Sequence, residues 1–211
     1  MLAGASAGAR LPSAYQEVEW IASNGNETIQ VEFANDSSHI GTCIIYTGIM
    51  RTDSGVRGLI GGASTGSGEI GAAAGTYFGW STSGYWDMGG SSISTTVQSS
   101  TTEFDNIKFE WYAAKSGKLY RYVNGAWSEV VSRAGTSGSY TKWNVFGGTN
   151  YKASFKCKEV EVYNVANGTS LTALLVPCYR VSDSEVGMYD LEASEFCTKI
   201  GSGNFTKGAD V

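Results

Sequence analysis

Two cysteines, Cys178 and Cys197, enclose the stretch CYRVSDSEVGMYDLEASEFC near the end of the sequence. Five acidic residues lie between them, and they are Asp183, Glu185, Asp190, Glu192 and Glu195. Residues of these types form metal sites, disulfide-closed loops and pairs of catalytic carboxylates, but they also form acidic hairpins that complete a sheet. The types of the neighbouring residues, and the strands on which they lie, distinguish these alternatives.

The four cysteines are Cys43, Cys157, Cys178 and Cys197, and the sequence has a single histidine, His39. No two cysteines have the short spacing of a zinc knuckle, so we expect no structural zinc site. Free, buried thiols are one interpretation, because cysteine packs as a small apolar residue. Antiparallel pairing of their strands would bring Cys178 near Cys197, so this pair is the candidate disulfide.

The acidic residues offer two further chemistries. Asp183 and Glu185 carry oxygens of the kind that Ca²⁺ binds, but Ca²⁺ takes six to eight ligands, and two acids in SDSE are typical of a turn. We therefore expect no cofactor, with Ca²⁺ as the one candidate. Glu159 and Glu161 alternate like the acids of β-sandwich glycosidases, whose carboxyl groups lie about 5 Å apart on one strand face.

The run around Glu159 and Glu161 has no third acid, and Lys156 and Lys158 precede it. A solvent-facing strand edge accounts for this pattern, so we expect a protein that is not an enzyme. A glycoside hydrolase remains the alternative for this run.

An aromatic cluster in the glycine-rich segment 61–90 is the strongest candidate binding site. Aromatic rings stack on the apolar face of a sugar, and polar side chains orient its hydroxyl groups. The candidate glycan patch is therefore Trp80, Tyr85, Trp86 and Asp87. The competing interpretation is that these rings fill the core of the domain.

The composition limits the fold and the partners. The 211 residues include 28 Gly, 12 Tyr, 8 Phe and 6 Trp but only 2 Pro, which is typical of short strands joined by tight turns. The net charge is −5 with no basic run, so a nucleic-acid surface is not expected. We find no apolar run long enough for a membrane span and no signal-peptide pattern at residues 1–10.

Hydrophobic alternation predicts the strands. ETIQVEF (27–33) and NIKFEWYAA (106–114) alternate apolar and polar residues, as half-buried strands do. KLYRYVNGAWSEVV (118–131) reads as a hairpin, because Asn124-Gly125 is the preferred pair for a type I′ turn. Many such strands predict an all-β protein with two packed antiparallel sheets.

The chain divides into two parts by this interpretation. Residues 1–10 are small and polar, and we expect a flexible or partner-bound arm. Residues 11–211 contain no linker and no internal repeat, so we expect one β-sandwich domain.

Both ends of that domain resemble a known family. LPSAYQEVEWIASNGNETIQVEF at the start, and LLVPCYR, VGMYDLEASEF and GSGNFTKG at the end, resemble the opening and closing motifs of concanavalin A-like (laminin G-like) jelly-roll domains. Such domains are abundant in phages and prophages of gut Firmicutes. The residues that carry the resemblance are Leu11, Pro12, Tyr15, Glu19, Pro177, Gly187, Tyr189, Asp190, Phe196, Gly201, Gly203 and Phe205.

The resemblance implies a two-sheet jelly roll and a virion or cell-surface location, and we expect a phage particle that is assembled in the host cytoplasm. It implies a lectin-like adhesion module, displayed on a tail fibre or capsid, that binds glycans of the host surface or of mucus. The alternative is a head-decoration or tail protein that binds only other virion subunits through the arm, and we expect a homo-oligomer. No catalytic residues carry over, and the family usually has an aromatic residue where Cys197 stands.

Overall fold

A computed structural model describes residues 10–35, 41–46, 55–58, 60–63, 69–70, 76–80, 84–88, 92–94, 107–111, 117–133, 140–146, 156–164 and 170–211. In these ranges the chain forms strands and turns and no helix. The strands are β1 (Tyr15–Glu17), β2 (Ile21–Ala22), β3 (Glu27–Asn35), β4 (Gly41–Tyr46), β5 (Gly55–Gly58), β6 (Ile60–Ala63), β7 (Glu69–Ile70), β8 (Thr76–Trp80), β9 (Gly84–Met88), β10 (Ser92–Ser94), β11 (Ile107–Trp111), β12 (Gly117–Val123), β13 (Ala126–Arg133), β14 (Tyr140–Val145), β15 (Lys156–Cys157), β16 (Glu159–Asn164), β17 (Ser170–Arg180), β18 (Val186–Asp190), β19 (Glu195–Cys197), β20 (Lys199–Gly201) and β21 (Thr206–Lys207). The predicted all-β class is confirmed.

The described strands form four antiparallel sheets. The largest has nine strands in the order β13-β12-β11-β4-β16-β17-β18-β19, with β1 paired to β17. A five-stranded sheet has the order β20-β3-β14-β6-β7, a four-stranded sheet the order β10-β9-β8-β5, and a three-stranded sheet the order β15-β2-β21. The arrangement is β-sandwich-like, with many pairs of strands that lie far apart in sequence.

One face of the nine-stranded sheet lies in the core. Val160 and Val162 of β16 are opposite Leu175 and Ala173 of β17, and all four are buried, as is Met188 of β18. Alternate residues of a strand point to opposite faces, so the residues between them belong to the outer face.

The five-stranded sheet contributes its own buried residues to the core. Ile29 of β3 is opposite Val145 of β14, and both are buried, as the alternation of ETIQVEF predicts. Phe146 follows β14 and lies 5.0 Å from Phe205, measured between ring centroids. These contacts join β14 to the C-terminal segment of the chain.

A small aromatic layer covers the outer face of the nine-stranded sheet at β18. Phe196 lies over Gly187, where an added Cβ would come within 2.9 Å of the Phe196 ring. Tyr15 stacks on Phe196 with ring centroids 5.1 Å apart, and it lies 4.8 Å from the ring of Tyr189. Leu11 is buried in the same cluster. The segment 11–15 therefore buries residues that would otherwise face solvent.

Arg10 marks the point at which the arm meets the domain. Its guanidinium binds Glu17 of β1, and it donates a hydrogen bond of 2.7 Å to Glu159 of β16. These hydrogen bonds, that to Glu17 foremost, raise the pKa of Arg10 above its usual value, although partial burial opposes the shift. The predicted arm, residues 1–10, otherwise lies outside the described residues.

Candidate functional site

The hairpin of β12 and β13 presents a group of aromatic side chains. Its turn consists of Asn124 and Gly125, with φ angles of 52° and 82°, so both residues lie in the left-handed region that a type I′ turn requires. The predicted hairpin is confirmed. Because the turn has only two residues, it fixes the register in which the two strands pair.

That register places five residues on one face. Tyr122 is opposite Trp127, and Tyr120 is opposite Glu129 on β13 and Lys108 on β11. We call Lys108, Tyr120, Tyr122, Trp127 and Glu129 the aromatic face. It belongs to the outer side of the nine-stranded sheet, because Lys108 and Glu161 are both opposite Ile44, and Glu161 lies between the buried Val160 and Val162.

The rings of the aromatic face contact one another at an angle. The ring centroids of Tyr122 and Trp127 are 5.2 Å apart, and the ring planes are inclined by 69°. The ammonium of Lys108 lies 4.0 Å from the centroid of Tyr120 and 5.5 Å from that of Trp127. Cation–π attraction at these distances holds the Lys108 side chain across the rings.

The aromatic side chains are half-buried, and polar groups surround them. Tyr120, Tyr122 and Trp127 keep part of their surface exposed, and Glu129 on the same face is exposed. Two rings at an angle form a corner with apolar walls and polar edges. This combination suits the apolar face and the hydroxyl groups of a sugar ring.

The aromatic face was not among the predicted sites, although the sequence carries a signal for it. Tyr120, Tyr122 and Trp127 have the same parity about the Asn124-Gly125 turn, so they had to share a face once that turn was predicted. Alternation alone does not say whether such a face is core or surface.

The predicted glycan patch lies on β8 and β9, whose backbone is described and whose side chains are not. Trp86 is opposite Phe78, and Trp80 follows Phe78 by two positions, so Trp80 and Trp86 belong to one face of the four-stranded sheet. Tyr85 and Asp87 belong to the other. The register therefore divides the predicted patch into two pairs of residues.

The cysteines of the candidate disulfide are separate in the structure. Cys178 and Cys197 are free and buried. Cys178 is opposite Gly187, whereas Cys197 is opposite Met188, so the strand β18 lies between them and they belong to opposite faces of the sheet. Burial raises the pKa of each thiol to about 12.

Asp183, in the turn that also contains Glu185, forms an ion pair with Arg180. The Asp183 carboxylate accepts hydrogen bonds of 2.6 to 3.1 Å from the Arg180 guanidinium, and one of its oxygens also accepts a bond from the Glu185 backbone N–H. The bond from Arg180 lowers the pKa of Asp183. Within the described ranges, no three His, Cys, Asp or Glu residues form a group that could hold a metal ion.

The alternating acids of β16 lie on the outer face and bind their neighbours. Glu159 accepts the hydrogen bond from Arg10, and Glu161 accepts one of 2.7 Å from the Tyr163 hydroxyl. Burial, with a smaller contribution from the Glu161 bond, raises the pKa of Tyr163 to about 12. The arrangement is that of a surface ion pair and a surface hydrogen bond.

Neither a protein-family model nor a curated protein matches the sequence. The described part of the chain also contains no helix long and apolar enough to cross a membrane.

Proposed function

We propose that this protein is a non-enzymatic, lectin-like jelly-roll module of a phage particle, and that it binds glycans of the host surface or of mucus. The observation that carries the proposal is the aromatic face, where Tyr122 and Trp127 meet at 69° and stay partly exposed on the outer side of a large antiparallel sheet. An apolar corner of this kind gains free energy when it covers the carbon face of a sugar.

The other features of the outer face support binding without turnover. Glu159 binds Arg10, and Glu161 binds the Tyr163 hydroxyl, so each acid is already paired with a neighbouring group. Lys108 and Glu129 add polar groups at the edge of the rings, which would orient hydroxyl groups rather than cleave a bond.

A glycan array that includes host cell-wall polysaccharides and mucin glycans tests the proposal. We expect the wild type to bind at least one glycan and Trp127→Ala to bind it at least about tenfold more weakly, because one ring contact is lost. Ser128→Ala is the matched control, since Ser128 is the exposed neighbour on the opposite parity. Absence of binding by the wild type would reject the lectin-like role.

A second candidate is a structural role in the particle, either as a head-decoration or as a tail protein. The observation that favours it is the double ion pair of Arg10 with Glu17 and Glu159, which fixes where the arm leaves the domain. Deletion of residues 1–9 would then abolish incorporation into particles while leaving the domain folded. Normal incorporation of the deleted chain would exclude the arm as the attachment point.

A further inference from the structure

A polar cleft opens beside β19 and β3. Its volume is about 380 Å³, within the range of roughly 300–1,000 Å³ that small-molecule sites occupy. Gln30, Asp190, Glu195 and Thr198 line it with polar side chains. None of these residues belongs to the aromatic face or to the predicted patch on β8 and β9.

The pairing of β18 with β19 places two acidic residues side by side in the cleft. Asp190 and Glu195 are directly opposite each other in the antiparallel pair of β18 and β19. Side chains in such positions are close neighbours, and two like charges there repel one another. The described residues that line the cleft include no Lys, Arg or His to neutralise them. A positively charged group placed between the two carboxylates would remove this repulsion.

Asp190 is buried and held rigidly, with only 2% of its surface exposed. Its Oδ1 atom accepts hydrogen bonds from the backbone N–H groups of Leu174 (3.2 Å), Glu192 (3.0 Å) and Ala193 (3.4 Å). All three bonds fall on Oδ1, and no other described residue donates a hydrogen bond to Oδ2, which can therefore accept one from a ligand in the cleft. A carboxylate fixed in this way loses little conformational entropy when it binds.

The other polar groups of the cleft are also acceptors. The amide nitrogen of Gln30 donates a hydrogen bond of 3.1 Å to Asn144, so its amide oxygen is the group that can accept one from a ligand. The Thr198 hydroxyl can donate or accept. A ligand that fits must therefore be rich in hydrogen-bond donors and carry positive charge.

A metal ion fits the cleft less well than an organic cation. Ca²⁺ requires six to eight oxygens, and the described residues contain no group of three ligands of the usual types.

We propose that this cleft is a second binding site, which takes the protonated amino group of a small hydroxylated ligand, an amino sugar, between Asp190 and Glu195. The ammonium would donate to Oδ2 of Asp190 and to the Glu195 carboxylate, and the sugar hydroxyls would reach Gln30 and Thr198. The site goes beyond the proposed function, because it recognises a charged amine and uses none of the residues of the aromatic face.

The test is an NMR titration of the full-length protein with glucosamine, below pH 7 so that the amine is protonated. N-acetylglucosamine, which has the same ring but no charge, is the matched ligand. We expect glucosamine to shift the backbone amide signals of Glu195 and Thr198, and the neutral sugar to leave them unmoved. Equal binding of the two sugars, or no binding of glucosamine, would overturn the proposal.

Variants locate the site. Glu195→Gln removes one charge from an exposed residue, and we expect it to weaken glucosamine binding about tenfold, the size of one charge-assisted hydrogen bond. Glu192→Gln is the control, since Glu192 is an exposed acid of the same turn outside the cleft lining. An equal loss in both variants would contradict the site, as would tighter binding of CaCl₂ than of glucosamine. Trp127→Ala should leave this titration unchanged, so failure here is distinguishable from failure of the glycan-binding proposal.

Discussion

Trp127 faces Tyr122 across a two-residue turn, with ring centroids 5.2 Å apart and ring planes inclined by 69°. The contact is an edge-to-face pair, which aromatic rings prefer over a flat stack. It keeps the indole partly exposed on the outer side of the sheet, where a ligand can reach it. The proposed glycan contact depends on this pair and on the turn that sets its register.

The turn itself is the first target for mutation. Gly125 has a φ of +82°, and a Cβ added there meets no atom within 4 Å, so Gly125→Ala is strained by its backbone alone. We expect it to lower the free energy of unfolding by about 1–2 kcal/mol, measured by urea denaturation. Ala126→Ser, at the exposed neighbouring position, should change it by less than about 0.5 kcal/mol. Equal stabilities of the two variants would contradict the left-handed turn.

Gly187 is required for a different reason, because it lies beneath Phe196. An added Cβ would come within 2.5 Å of the Cys197 carbonyl oxygen and 2.9 Å of the Phe196 ring. Backbone cannot yield as a flexible side chain does, so we expect Gly187→Ala to destabilise the protein by about 1–3 kcal/mol. Urea denaturation measures the loss, and near-UV circular dichroism should report displacement of Tyr15 from Phe196. A variant of wild-type stability would mean that Phe196 does not cover Gly187.

The free thiols lead to a prediction about disulfide formation. We expect four reactive thiols per chain after denaturation without a reductant, since the described Cys157, Cys178 and Cys197 are all free. A count of two would indicate that one disulfide is present, and mass spectrometry of a tryptic digest would show whether it joins Cys178 to Cys197.

In the folded protein these three thiols should react slowly with Ellman's reagent, because burial raises the pKa of each one. The sign of the pH effect follows from the same shift. For Cys178 and Cys197 the folded pKa of about 12 exceeds the unfolded value of 9.0, so the contribution of these neutral thiols to stability is complete below pH 9 and is lost as the pH rises towards 12. Unfolding curves measured between these pH values should show a falling stability, and Cys178→Ser should reduce the slope. If stability falls with pH equally steeply in Cys178→Ser and in the wild type, ionisation of the Cys178 thiol does not contribute to the loss of stability.

The four-stranded sheet predicts opposite behaviour for neighbouring residues. Trp80 and Trp86 share a face with Phe78 and Ile93, which is an apolar set, whereas Tyr85 and Asp87 share a face with serines of β10. We expect Trp86→Ala to lower the free energy of unfolding more than a change on the polar side does, because Trp86 belongs to the apolar set.

Tyr85→Ala is the matched variant, and we expect it to cost less than about 1 kcal/mol. Urea denaturation measures the loss in both variants. A larger loss of stability in Tyr85→Ala than in Trp86→Ala would contradict the expectation.

Local patterns predicted the elements of this fold well. The period-two alternation around Ile29 and the Asn124-Gly125 pair depend only on neighbouring residues, and both strands and turn lie where they were expected. The pairing partners were a harder problem. β4 lies between β11 and β16, which are separated from it by more than sixty and more than one hundred residues in the sequence, and no local rule specifies such contacts.

Because strand register depends on these distant contacts, the face to which several side chains belong could not be predicted from the sequence. Cys178 and Cys197 look like a plausible pair in a hairpin, but the intervening β18 puts them on opposite faces. Similarly, Tyr120 and Tyr122 have the alternation of a core strand, and only the outward assignment of Lys108 and Glu161 shows that their face is the surface. Asp190 and Glu195 are neighbours because β18 pairs with β19, and the sequence does not specify the register of that pair.

The most direct test of the glycan-binding account follows the indole N–H signal of Trp127 in a ¹H–¹⁵N NMR titration with a glycan that the array identifies. The signal is assigned by its disappearance in Trp127→Phe, and Trp20, which lies under the Lys156 ammonium, serves as the internal reference. We predict that the Trp127 signal shifts in a saturable manner while the Trp20 signal stays in place. A glycan that binds and leaves Trp127 unmoved would contradict the assignment of the aromatic face as the binding surface.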